Sequence, residues 1–327
     1  MKLAYDGTVR ELGRTGRVPV DEGSYTGTPR AGRVKGFVMV LAAAVFWGLS
    51  GTAAQVLFQG EGFRPEWLVT VRMGLSGMIL VLGTAVFAGP RAALGPLVHP
   101  VDALRLTLFG IFGMLGVQYS YFASVAEGNA ATATLLQYLA PAMIVLYAAA
   151  RSRRMPGLRQ IAAVGLALAG TFLLVTGGQI QALTVPWTSV VWGLASAVTL
   201  AFYTVYPGRL LRRYGAPATV GWAMVVGAAV PALGGALQPG PAVPGETWWI
   251  AWGLTAFVVF FGTLVSFLFY LTSLRFLTPA ETSLLASAEP VSAVVSAALF
   301  LHVNLGMTGA AGAACILAAV VLLARPK

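Results

Sequence analysis

The sequence predicts an all-α integral membrane protein: ten transmembrane helices forming an inverted 5+5 repeat, with both termini cytoplasmic. Three observations predict it: a shortage of charged residues, apolar runs of spanning length that recur to the end of the chain, and a match between the two halves at a fixed offset.

Only 10% of the 327 residues are charged and 57% are hydrophobic, with a mean hydropathy of +0.79. A soluble domain carries about 25% charged residues, so this chain cannot cover a water-facing surface. The net charge of +10 does not point to nucleic acid, because the basic residues sit in short connectors and in the first 35 residues. No nucleic-acid partner is expected. Cys315 is the single cysteine, so no disulfide forms within one chain. His99 and His302 are the only histidines and lie far apart in sequence, which excludes a multi-histidine metal site. No metal and no cofactor are expected. A phosphate-cradling G-x-x-x-x-G-K loop is absent, so the chain is not read as an ATPase.

Residues 1–35 are polar, rich in Gly and Arg, and without periodicity, and read as a disordered cytoplasmic tail. Met39, close to the first apolar run, offers an alternative start. Apolar runs then follow at 36–58, 67–88, 105–126, 129–150, 158–178, 188–208, 216–237, 248–274, 279–301 and 305–324. Each approaches or exceeds the ~20 residues that a helix needs to cross a bilayer. Of the 21 Lys and Arg residues, all but Arg64 and Arg72 fall on one set of alternating connectors and termini. The excess of basic residues marks the cytoplasmic side and puts both ends of the chain there.

The halves align without a gap at an offset of 149 residues. Leu135, Leu136 and Pro141 fall on Leu284, Leu285 and Pro290, and Tyr121 and Ser124 fall on Tyr270 and Ser273. The first repeat (36–178) and the second (188–325) hold five runs each. An odd number inverts the second repeat relative to the first, and inverted repeats are a transporter signature, with broken helices at matched positions marking the binding site. Those helices are the fourth and ninth, at Pro141 and Pro290.

The stretches "LAAAVFWGLSGTAAQVLF", "VRMG", "YFASVAEGNAATATLLQYLAPAMIVL" and "FYLTSLRFLTPAETSLLASAEPVSAVV" together resemble the EamA family of the drug/metabolite transporter superfamily. The resemblance covers residues 36–325. It implies a secondary transporter of the cell membrane that exports small metabolites, often amino acids, through a cavity lined by helices 1, 3, 4, 6, 8 and 9. "SRRMPGLRQ" and "LHVNLG" stand where family members commonly carry Gly-Glu after the fourth and ninth helices.

Glu289 is the acidic residue expected near the bilayer midplane. Ionisable groups at that depth are functional by default, here as a proton carrier or the partner of a substrate ammonium, against a role in helix packing alone. Trp47, Gln137, Tyr138 and Tyr270 are the polar and aromatic groups expected beside it, where a few polar groups among rings orient a ligand. Pro141 and Pro290 are expected to free carbonyls about one turn earlier, near Gln137 and Ala286, and to serve as hinges or helix breaks. Arg72 is expected near the outer end of the second helix, as a snorkelling anchor or paired with Glu66 or Glu127, or else as an attractor of a substrate carboxylate. Gly110 and Gly116 are read as packing positions. The expected partners are a small-molecule substrate, protons and the lipid bilayer, with a homodimer left open. A lipid-carrier flippase is the rival reading. A membrane-embedded enzyme would need a His, Asp or Glu cluster at one face that the sequence lacks, and an accessory subunit stands behind it.

Overall fold

Prolines open several of the helices, and glycines turn the chain between them. In the computed structural model, residues 30–152, 155, 157–177, 185–238, 240–243, 245–273, 276–277, 282, 285–286, 288–302 and 306–324 are described, and among them there are helices and no strand. The first half runs α1 (Arg30–Gln59), α2 (Pro65–Ala88), α3 (Pro90–Val98), α4 (Pro100–Glu127), α5 (Ala130–Gln137), α6 (Ala140–Ser152) and α7 (Leu158–Thr176). The second runs α8 (Trp187–Val205), α9 (Gly208–Tyr214), α10 (Ala216–Leu233), α11 in three joined pieces (Trp248–Val259, Phe260–Val265, Ser266–Ser273), α12 (Ala288–Leu301) and α13 (Gly306–Ala324). Helices α2, α3 and α4 begin on proline, where a missing N–H removes no intrahelical bond. Gly89, at φ 93°, turns the chain between α2 and α3, a conformation that a β-carbon disfavours.

Seven helical stretches among the described residues are long and apolar enough to cross a membrane; α7, α12 and α13 hold shorter apolar segments. Each of the ten expected runs falls on one of these. Three of them differ from expectation, the third run in beginning at Pro100 and not at 105. Helix α1 begins at Arg30, inside the stretch read as tail, because its first turns pack on the second half: Lys35 Nζ lies 5.7 Å from the centre of the Phe276 ring. Residues 1–29 lie outside the described residues. The fourth run is two helices, broken by a turn at Tyr138 and Leu139.

Two segments are wound as π-helix, Phe109–Leu115 within α4 and Phe260–Val265 within α11. The offset of 149 residues carries the first almost onto the second and Gly113 onto Gly262. A π-turn leaves backbone carbonyls poorly paired, and side chains serve them here: Thr263 Oγ1 donates to Val258 O at 2.9 Å and Ser266 Oγ to Phe261 O at 2.6 Å.

The packing repeats in the same way. Helix α1 lies against α11 and α12, and α8 lies against α4 and α5. Helix α2 pairs with α10 and α7 with α13, each joining equivalent positions of the two halves. Where α7 crosses α13, a β-carbon on Gly170 would sit 2.6 Å from the Gly312 carbonyl oxygen, and one on Gly312 would sit 2.6 Å from that of Gly170. Small residues allow such close approach between helices in lipid. The same holds at the two expected packing positions. A β-carbon on Gly110 would meet Ala223 O at 2.9 Å, and one on Gly116 would meet the Thr199 side chain. Large apolar side chains such as Val86, Phe87, Leu168, Leu299 and Phe300 are left exposed on the outer faces.

Charged contacts gather at the two ends of the bundle. Asp102, at the start of α4, accepts from Arg213 Nη1 at 2.6 Å and from Tyr214 Oη at 2.8 Å, with Arg105 at 3.5 Å and Arg209 at 3.8 Å. At the opposite end Arg64 donates to the carbonyls of Ala236 and Gln238, and Thr247 donates to Glu61 at 2.6 Å.

Candidate functional site

The site is built where the two matched proline-bearing helices face each other. Helix α5 ends at Gln137, the backbone turns at Tyr138 and Leu139, and α6 restarts at Ala140 with Pro141 in its first turn. In the second half Glu289 and Pro290 occupy the first turn of α12. Pro141 stands in the first turn of α6 and costs no backbone bond there; Pro290 follows Ala286, itself helical, by four residues.

Tyr138 spans the gap. Its hydroxyl lies 3.0 Å from Glu289 Oε2 and 3.1 Å from the Ala286 carbonyl oxygen, and its one proton serves one or the other. The carbonyl expected to be freed one turn before Pro290 is thus met by a side chain from the other half. Around the pair, Trp47 contacts Tyr270, ring centres 5.6 Å apart, and Phe267, 5.5 Å apart. Trp47, Tyr138, Tyr203, Tyr270 and Glu289 are each partly buried. Gln137 is buried at the end of α5.

Arg72 joins this group and corrects the expectation for it. Its side chain lies inside the bundle, 5% exposed, and is neither a snorkelling anchor nor an ion-pair partner of Glu66 or Glu127. Glu66 sits 3.8 Å from Arg64, and Glu127 accepts from Thr188 at 3.0 Å. Arg72 Nε donates to Thr263 Oγ1 at 2.9 Å and Nη2 to the Gly262 carbonyl at 3.4 Å, both on the π-segment of α11. The guanidinium stacks 4.7 Å from the centre of the Phe122 ring and interacts electrostatically with Tyr121 and Glu289. A side chain that finds acceptors on α11 has no need to reach for the membrane surface.

Comparison with known proteins decides the family. The sequence profile of the EamA-like transporter family matches residues 34–176 and 187–325, one match per half. The chain belongs to the EamA-like transporter family. It is 35% identical to YicL of Salmonella typhimurium, described as an uncharacterised inner membrane transporter, over 292 residues covering 88% of this chain and 95% of that protein. It is 22% identical to YyaM of Bacillus subtilis, described as an uncharacterised transporter, covering 79% of this chain and 84% of that one. A crystal structure described only as that of a protein matches in fold with a TM-score of 0.58 at 19% identity, covering 90% of this chain and 96% of that chain. This EamA-family chain is accordingly a multi-pass membrane transporter.

Three polar contacts in it were not legible as candidates. Gln55 accepts from the Ala130 amide at 2.8 Å and donates to Gln59 at 3.1 Å. Gln59 Nε2 in turn faces the carbonyls of Val125, Ala126 and Gly128, the last at 2.8 Å, and so ties the end of α1 to the α4–α5 turn. Thr52 and Ser296 share a hydrogen bond of 2.6 Å between α1 and α12. A glutamine pair spaced i, i+4 within an apolar helix is the one sequence signal that could have marked the first two. Two concavities lie elsewhere. One of about 130 Å³ at the Arg64 end is lined by Gly62, Trp67 and Pro241, and one of about 360 Å³ between α2 and α10 is apolar and includes Gly74, Met78 and Ala228. Neither holds Glu289. The Gly-Glu replacement at Arg153 and Arg154, and Val303, lie outside the described residues; His302 follows α12 at φ 53°.

Proposed function

We propose that the chain is a secondary active transporter of the inner membrane that exports small polar or amphipathic metabolites such as amino acids. In this reading its ten helices form an inverted 5+5 repeat with both termini cytoplasmic, and transport proceeds by alternating access of one central site. Glu289 is the coupling or binding carboxylate. Trp47, Gln137, Tyr138 and Tyr270 line the site, and Pro141 and Pro290 start the helix pieces that move.

The hydrogen bond from Tyr138 to Glu289 carries the reading. It joins the matched proline-bearing helices of the two halves through a titratable group. Two similar halves in opposite orientation can exchange conformations, and a contact at their shared centre is where a proton or ligand acts on both. The matched π-segments and the exchangeable helix pairs support the same symmetry.

The test is uptake of pooled labelled amino acids and small amines into proteoliposomes, with and without an imposed pH gradient. Gradient-driven uptake above protein-free vesicles is expected. Its absence for every compound would contradict the reading and turn attention to lipids and lipid-linked carriers as cargo.

A further inference from the structure

We propose that Arg72, held on the π-segment of α11, is the anion subsite of the transport site and takes a carboxylate of the substrate. The inference rests on the transporter reading above and deepens it: amines that lack a carboxylate are not carried.

Four observations converge. First, a guanidinium has five N–H donors in a planar fork, and that of Arg72, although buried, uses Nε and Nη2 on Thr263 and Gly262. Among the described residues no hydrogen bond runs from Nη1. Second, no carboxylate among the described residues lies within ion-pair distance of it, and a buried charge is costly without a partner. Glu289 is the acidic group that its field reaches, and the two do not touch. Third, Ser50 is 3% exposed with its hydroxyl unpartnered, and it packs on Gly262, the residue whose carbonyl Arg72 contacts. Fourth, the Tyr121 hydroxyl shares a hydrogen bond of 3.0 Å with Thr134 next to Gly51, and its ring lies 5.4 Å from that of Phe122, on which the Arg72 guanidinium stacks.

A guanidinium with donors to spare and a serine hydroxyl with no acceptor need an acceptor with several lone pairs. A carboxylate supplies it, and charge-assisted bonds to a guanidinium fork are among the stronger ones. The π-turn sets the position. Both partners of the Arg72 fork, the Thr263 hydroxyl and the Gly262 carbonyl, lie on that segment. With Glu289 opposite, the site offers one negative and one positive pole contributed by different halves, α12 and α2.

The experiment compares two matched pairs in proteoliposomes of the full chain: leucine with isoamylamine, and phenylalanine with phenethylamine. Binding is read in parallel as a ligand-induced rise in melting temperature. Wild type is expected to take up and be stabilised by the amino acids and not the amines. Arg72→Gln is expected to lose roughly ten- to hundredfold in apparent affinity for the amino acid and with it the preference over the amine. Arg72→Lys, which keeps the charge without the fork, is expected to retain the preference at lower affinity. Equal handling of amine and amino acid by wild type would overturn the inference and leave transport standing. So would full selectivity in a folded Arg72→Gln. Should Arg72→Gln fail to fold, the wild-type pairs and Arg72→Lys decide. Failure of wild type to carry either member of both pairs would contradict the transporter reading and this inference together.

Discussion

Tyr138 and Glu289, from the two halves, meet at 3.0 Å next to the prolines that the 149-residue offset matches, so the tyrosine of the first half holds the carboxylate of the second. Tyr138→Phe removes that donor and leaves a carboxylate in the membrane interior with one bond fewer. A hydrogen bond to a charged group contributes about 1.5–3 kcal/mol. Gradient-driven uptake is expected to fall about tenfold or more, while Tyr147→Phe, on an exposed position of α6, leaves it unchanged. Initial rates in proteoliposomes measure both, and a Tyr138→Phe protein as active as wild type would count against the pairing.

The glutamine clasp at the end of α1 predicts a gate. Gln59→Ala removes the donor that faces the Val125, Ala126 and Gly128 carbonyls, and frees the α4–α5 turn from α1. A cysteine placed at Ala126 is then expected to react faster with a membrane-impermeant maleimide in intact cells than in the Gln59 background. An unchanged labelling rate would show that the clasp does not restrain this end.

The α7–α13 crossing predicts a stability defect without a chemical one. Gly170→Val places atoms where the Gly312 carbonyl lies 2.6 Å away, and backbone cannot yield as a side-chain tip can. Overpacking of this kind costs about 1–3 kcal/mol. The melting temperature in detergent is expected to drop. Protein that does fold should keep its substrate preference, because the residues packed at the crossing reach Tyr138 but neither Arg72 nor Glu289. A Gly170→Val protein as stable as wild type would show that the helices separate at no cost.

The Asp102 cluster predicts a charge imbalance. Asp102→Asn leaves Arg105, Arg209 and Arg213 facing one another without their shared carboxylate and weakens the acceptor of Tyr214. Lower thermal stability is expected, partly restored by high salt because the groups lie near the aqueous phase. A melting temperature equal to that of wild type at low salt would contradict this.

Much of the architecture was legible in the sequence because the bilayer imposes lengths that can be counted. The runs beginning at residues 67, 158, 188 and 216 each hold a helix that starts within two residues of the expected position. The offset of 149 already aligned Pro141 with Pro290. Less legible was what depends on backbone winding. Nothing in "FGIFGML" or "FFGTLV" announces a π-turn, since the extra residue in the turn is set by neighbouring helices and not by local propensity. Arg72 was misplaced because counting turns along α2 gives its depth to a few residues, but its partners, Thr263 and Gly262, lie about 190 residues away on the other half. Gln55 and Gln59 were missed because their partners are backbone groups at the α4–α5 turn, which have no sequence signature.

The central claim is that Glu289 couples transport to a proton. The most direct measurement separates exchange from accumulation with Glu289→Gln protein in proteoliposomes, using labelled amino acid. Counterflow exchange between equal pools needs no net proton movement, whereas accumulation against a gradient does. The account predicts that Glu289→Gln retains counterflow and loses accumulation driven by a pH gradient. Accumulation at the wild-type level in Glu289→Gln would contradict it and leave Glu289 as a packing residue between α5 and α12.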